Sequence, residues 1–344
     1  MTASALRILH AIRSDGFAGV EHHVATLAVA QRQQGNRVAV IGGDPTSMRA
    51  AIGDPGIRHR PAVTVLDTAL AIDDWRRCDI LHVHMTAAEI AALMAVRSWS
   101  VPVVSTRHFG GRRGTSVGGR LAAPFVEKRI SAQIAISGYV AGLIGGPSTV
   151  VHHGVPSTSA SPGVAGRESS ILVAQRLERE KDTDVALRAF ALARLAERGW
   201  RLEIAGEGSE RPDLERLAQR LGIAGSVRFL GRRSDVTSLM EHAGLFLATC
   251  AVEGLGLAVL EAMAAGLPVV AARAGGHLET VGAFAGATLF GPGDAGHAGS
   301  LLAHLADDVE ERERYGAQLQ VLQRELFTVE AQARATDAVY RSVL

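Results

Sequence analysis

Short apolar runs recur along the chain, separated by stretches in which apolar residues return every three or four positions. Residues 6–12, 37–42, 79–84, 101–108, 131–137 and 148–155 have the length and composition of buried strands. After the first of them comes a glycine-bearing loop, then a helix from about Val20 with Val20, Val24, Leu27 and Ala28 on one face and Gly35-Asn36 as its stop. The result is a β-loop-α-β unit, for which a right-handed crossover is expected. The pattern resumes in the second half, with strands at 170–177, 201–208, 227–232, 244–248 and 268–272 and helices at 185–196, 211–221 and 257–265. Closing helices are expected at 295–305, 309–326 and 329–344.

Between the halves, residues 156–170 are small and polar, the composition of a linker. The expected organisation is therefore α/β throughout: a Rossmann-like, doubly wound domain over 1–156, a linker over 157–169, a second such domain over 170–327, and a final helix over 328–344. A length of 344 residues suits two domains of ordinary size.

Composition narrows the partners. An apolar fraction of 47% with 21% charged residues describes a globular chain, and a net charge of +1 gives no electrostatic case for nucleic acid. Cys78 and Cys250, far apart and in no ligand cluster, suit a reduced cytoplasmic setting. No apolar run reaches the length of a membrane span, so any membrane contact is expected to be peripheral.

The chemistry centres on residues 249–270. A strand leads into the loop Glu253-Gly254-Leu255-Gly256, then a helix of strong formers from Leu257, stopped by Gly266 and Pro268. A diphosphate could approach the unpaired amides of Gly256 and Leu257 at that helix start. Glu261, a turn further on, could accept hydrogen bonds from ribose hydroxyls, and Glu253 would face whatever the diphosphate carries. A buried strand and helix with one acidic cap and one surface glutamate fits the same residues. Upstream, Arg176 and Lys181 stand five apart across a strand-to-helix loop, where two cations could neutralise a diphosphate or simply be surface charges. Asp182-Thr183-Asp184 spells a metal-binding triplet, but its place before a helix reads as capping. His84 and His108 end strands, where open parallel sheets bind ligands. Residues 110–120 read as a basic, mobile loop on the acceptor side.

These residues resemble the Glu-x7-Glu motif of retaining glycosyltransferases of family four, carried here by Glu253 and Glu261. Arg176-Leu177 with Lys181 is similar to that family's Arg-Leu-x3-Lys motif, and the loop through Gly16 and Gly19 resembles its glycine loop. Gly206-Glu207-Gly208 and Gly275-Gly276 with Glu279 resemble further motifs, while His153-Gly154 stands where members often have Asn-Gly. The resemblance implies the GT-B fold, two Rossmann-like domains facing across a cleft. It also implies retaining transfer of a sugar from a nucleoside-diphosphate sugar, UDP-linked first and GDP-mannose second, to a hydroxyl of a small-molecule, glycan or lipid-linked acceptor. On the same basis Arg176 and Lys181 stabilise the leaving diphosphate, which itself serves as base, with no metal and no further cofactor. Glu253 and His108 meet the sugar, Glu261 the ribose, Gly254, Leu255, Gly256 and Leu257 the diphosphate, Leu230 and Arg232 the base, and Gly19 and Gly206 the donor. A nucleotide-sugar epimerase of the same fold, a non-catalytic nucleotide-sugar-binding module and a purely structural protein are the rival readings. No residue in the pattern names the base, sugar, acceptor or oligomeric state.

Overall fold

The computed structural model describes residues 4–75, 77–113, 117–157 and 166–344, except the side chains of 117 and 118. It divides into two units, Met1–Gly154 with Val329–Leu344, and Val155–Thr328.

The first unit is built on β1 (Arg7–Ile12), β2 (Arg37–Ile41), β3 (Arg58–Arg60), β4 (Ile80–His84), β5 (Val103–Arg107), β6 (Ala132–Ala135) and β7 (Thr149–Val150). They pair in the order β3-β2-β1-β4-β5-β6-β7, every pair parallel. Alternation along each strand assigns the two faces. Ile8, Val38, Val40, Ile80 and Val104 pack on Val24 and Ala28 of α1 (Gly19–Gln33) and Met48 of α2 (Pro45–Ile52). Leu9, Ala11, Ile41, Leu81 and Val83 pack on Ile72 of α3 (Val65–Asp74) and Ala88 and Ala91 of α4 (Met85–Met94). Each fully enclosed Val, Leu, Ile or Met among them contributes on the order of 2 kcal/mol, the alanines less.

Local signals explain most boundaries. Asp44 accepts from Ser47 N at 2.8 Å with Pro45 opening α2 behind it, and Thr64 and Asp67 form a reciprocal capping box on α3. β3 carries Arg-His-Arg on the sheet edge, a polar triplet with no apolar signature, which is why the pattern of the chain gives no strand there.

One expectation is corrected. α5 runs Val117–Arg129, so the C-terminal part of the presumed loop 110–120 is helical; residues 114–116 lie outside the description. Of the presumed linker 157–169, residues 158–165 also lie outside it. Arg167 donates to the carbonyls of Met240, Ala243 and Ala265, and Glu168 N to His242 O, so this stretch is fastened to the second unit. A short α6 (Gly138–Leu143), capped by Ser137, completes the helices of the first unit before β7.

The second unit repeats the plan with β8 (Ser170–Ala174), β9 (Arg201–Ala205), β10 (Val227–Gly231), β11 (Leu245–Ala248), β12 (Val269–Ala272) and β13 (Thr288–Phe290), in the order β10-β9-β8-β11-β12-β13. Again every pair is parallel. Its helices are α7 (Thr183–Leu192), α8 (Arg211–Arg220), α9 (Val236–His242), α10 (Leu257–Ala264), α11 (Ala295–Asp307) and α12 (Val309–Leu326). The last helix, α13 (Val329–Arg341), belongs to the first unit, where Val329 and Ala333 meet Leu27 and Ala30 of α1. Among the described residues no helix is long and apolar enough to cross a membrane.

In each sheet the strand order reverses once, between β1 and β4 and between β8 and β11. Beyond the carboxyl ends of strands at such a switch point, the two adjoining loops diverge and leave a crevice for ligands.

Candidate functional site

At the second unit's switch point the loops after β8 and β11 are tied together by a residue whose role the sequence did not disclose. The Gln175 amide nitrogen lies 3.0 Å from Lys181 O, 2.9 Å from Thr183 Oγ1 and 3.1 Å from Thr249 Oγ1. Thr249 Oγ1 donates to the same Lys181 carbonyl at 2.7 Å, and Cys250 Sγ donates to Glu180 O. The start of α7 and the end of β11 are thereby fixed on one another through the backbone of Glu180 and Lys181.

Asp182 does not cap α7 as its position suggested. It takes the left-handed conformation, φ +50°, and makes no side-chain cap bond. Its turn directs the neighbouring Lys181 side chain onto Glu253, Nζ to Oε2 at 2.6 Å. Both side chains are largely enclosed, at 15% and 27% exposure. Burial opposes both charges, but the partner outweighs it: Lys181 is held above its ordinary value, and Glu253 below the usual carboxylate range with help from His277 and the Gly254 N–H.

The loop carrying Glu253 is buttressed from behind by Gly275 and Gly276. Gly276 N donates to Glu253 O at 2.8 Å, and a Cβ on Gly276 would stand 2.3 Å from Leu255 Cα, so only glycine lets the segments approach. His277 follows them, a site residue the sequence reading passed over in favour of Glu279. Its ring is buried, its Nδ1 donates to Ala272 O at 3.2 Å, and burial pulls its pKa down although Glu253 works against the shift. Nε2 is left as an acceptor beside Gly256. The glycine pair was the signal that could have found it.

Gly256, φ +93°, opens α10 with no side-chain cap bond, leaving the first-turn amides of Leu257 and its successors to a ligand. Arg176, Lys181, Glu253, Gly256, Leu257 and His277 all line one cavity of about 170 Å³. The expected convergence of Arg176 on Lys181 is only half met. Arg176 reaches the same cavity, yet its guanidinium is exposed and bonded to Glu180 at 2.8 Å. Leu255 is buried beneath the loop and Gly254 is half-buried within it.

Other expected residues stand off this cavity. Glu261 sits half-buried on α10, its carboxyl pushed up to about 7 by burial. Leu230 and Arg232 lie at the end of β10 and just beyond it, half-buried and exposed respectively. Gly206 has a structural reason of its own, since a Cβ there would stand 1.8 Å from Gln175 O. In the first unit Gly19 is the exposed opening residue of α1. His108 is 3% exposed, its Nε2 3.2 Å from His84 Nδ1 and its ring packed among other histidines. In this structure it therefore presents no open edge to a sugar.

The chain matches the family described as "Glycosyltransferase Family 4" over residues 17–158 and that described as "Glycosyl transferases group 1" over residues 156–320. It is 24% identical to the lipopolysaccharide core biosynthesis mannosyltransferase LpsB of Rhizobium meliloti, across 95% of this chain and 94% of that one. Over 67% of its length it is 30% identical to D-inositol 3-phosphate glycosyltransferase 2 of Catenulispora acidiphila, spanning 62% of that protein. The crystal structure of Anabaena Alr3699/HepE in complex with UDP and glucose shares the fold, with a TM-score of 0.79 at 21% identity over 98% of this chain and all of that one. With two doubly wound parallel sheets, an amide-rich crevice at the second switch point and these matches end to end, the chain belongs to glycosyltransferase family 4, a GT-B enzyme that draws on sugar-nucleotide donors.

Proposed function

We propose that the enzyme transfers a sugar with retention of configuration from a nucleoside-diphosphate sugar to a hydroxyl acceptor, without a metal at the diphosphate. The observation that carries this reading is the Lys181–Glu253 pair at 2.6 Å beside the uncapped start of α10. A diphosphate entering there brings two negative charges to Lys181 and the first-turn amides, and so competes with Glu253 for the ammonium. Glu253, released, is free to accept hydrogen bonds from the sugar. Arg176 can swing from its exposed partner Glu180 onto the leaving group, since it already borders the cavity. As the glycosidic bond to phosphate lengthens, charge grows on the phosphate oxygens; the cations and amides stabilise it. The departing phosphate then takes the proton of a hydroxyl arriving on the same face.

UDP-sugars are the first choice of donor, supported by the UDP-bound structure of the Anabaena protein, and GDP-mannose the second, supported by the mannosyltransferase relative. The acceptor is a hydroxyl of a small molecule, glycan or lipid-linked sugar. Two buried free cysteines support a reducing, cytoplasmic setting.

Melting curves with UDP, GDP, dTDP and ADP identify the base, because a ligand that binds only the folded state raises its melting temperature. With the donor in hand, Lys181→Ala and Glu253→Ala should each lower kcat by roughly tenfold or more while circular dichroism stays unchanged. Wild-type turnover in both variants would refute the site.

A further inference from the structure

Six of the thirteen histidines, His10, His23, His82, His84, His108 and His153, are buried together in the first unit around its own switch point. None of them lines the diphosphate cavity of the second unit. Their hydrogen bonds run in one direction. Gln31 Oε1 can only accept, so His10 Nε2 donates to it at 2.7 Å, leaving His10 Nδ1 to accept from His84 Nε2–H at 3.0 Å. His84 Nδ1 in turn accepts from His108 Nε2–H at 3.2 Å. At the end of this chain His108 Nδ1 has no partner, and neither nitrogen of His153 has one, although both rings are 3% exposed. Buried imidazole nitrogens without partners are unusual, and the water or anion that would complete an ion's coordination in this cluster would serve His153.

We propose that His23, His84 and His108 bind one divalent transition-metal ion of the zinc or nickel class. One nitrogen from each of the three lies within 4.8 Å of the other two. Two imidazoles on a tetrahedral ion, at metal–nitrogen distances of about 2.0–2.1 Å, stand roughly 3.3 Å apart, close to the present 3.2 Å between His84 and His108. The hydrogen bonds of these rings go to imidazoles, glutamine amides, a tyrosine and a threonine; an all-imidazole donor set favours zinc, nickel or copper over magnesium or calcium.

His84 Nδ1 already offers its lone pair. To coordinate through Nε2, His108 moves its single proton to its unpartnered Nδ1, and no proton leaves the protein. His23 gives up its long contacts to the Gln332 amide, 3.2 and 3.4 Å. His10 and Gln31 stay behind His84 as the partners that orient it. Water or an anion completes the coordination next to His153, which stacks on His23 with centroids 3.8 Å apart. The ion joins α1, β4 and the residue after β5, all within the first unit.

The test titrates chelator-treated, full-length protein with zinc chloride and with nickel chloride in a calorimeter. One equivalent should bind with micromolar affinity or better and raise the melting temperature. His23→Ala and His108→Ala should each weaken binding by roughly a hundredfold, whereas the exposed pair His297→Ala and His304→Ala should leave it unchanged. Should the cavity variants fail to fold, cobalt added to the wild-type protein reports instead: tetrahedral, nitrogen-ligated absorption bands are expected. Absence of saturable binding, binding that survives loss of either cavity histidine, binding lost with the surface pair, or an octahedral cobalt spectrum would each overturn the assignment.

Discussion

Glu261 is held at about 7 because burial on α10 disfavours its charged form. A carboxyl raised in this way leaves stability intact below its ordinary value of 4.5 and lowers it as pH climbs from there through about 7, with no further loss above. If ribose hydroxyls donate to this carboxylate, as the family resemblance implies, the donor binds the ionised form. Nucleotide affinity should therefore rise by roughly tenfold across the two pH units centred on 7 and then level off, and Glu261→Gln should flatten the curve; calorimetric titrations from pH 6 to 8 check both. The two glutamates of the motif were legible as a spacing. That Glu253 holds Lys181 was not, because 72 residues separate them and only the closing of β8 against β11 brings them together. Gln175 was equally silent, since nothing in Ala-Gln-Arg reveals an amide that reaches both neighbouring loops.

Among the elements, most strands of both sheets were readable from their apolar runs, and β3 and β13 were not. β3 is a polar edge, β13 is a three-residue strand running into the turn-rich Gly291-Pro292-Gly293, and β7 is cut to Thr149–Val150 where a strand over 148–155 was expected. Gly206 shows how tightly two elements can constrain one position. Its φ is +148°, and a Cβ on it would stand only 1.8 Å from Gln175 O where the ends of β8 and β9 meet at the donor crevice. Gly206→Ala should cost several kcal/mol, of the order seen for overpacking combined with backbone strain. Gly35→Ala, also at positive φ but with open space around its Cβ, should cost about 1–2 kcal/mol. Urea melts of the two variants compare them directly. A larger loss at Gly35 would contradict this account of β8 and β9.

For the molecule as a whole, the two units are expected to respond to different perturbations. Donor nucleotide at a hundred times its Kd should stabilise the second unit by about 2.7 kcal/mol. Tyr340, on α13, accepts from Gln31 Nε2 at 3.1 Å and donates to His82 Nδ1 at 2.6 Å. Tyr340→Phe leaves both buried groups unserved and should destabilise the first unit by about 1–3 kcal/mol. Scanning calorimetry should show that loss in the transition that nucleotide does not shift. Two doubly wound sheets and the closing helices were apparent from periodicity. The histidine cluster was not, because its members are drawn from positions 10 to 153 and share no local pattern.

The bond between His82 and Tyr340 spans 258 residues of sequence, and the entire second unit lies between them. A ribosome adding about 5–20 residues per second takes roughly 13–50 s to cover that interval. Throughout it, the nascent first sheet waits with the His82 ring still exposed to the cell's chaperones, while the later-made half can already collapse around its own strands. In this chain, the part translated first is the part completed last.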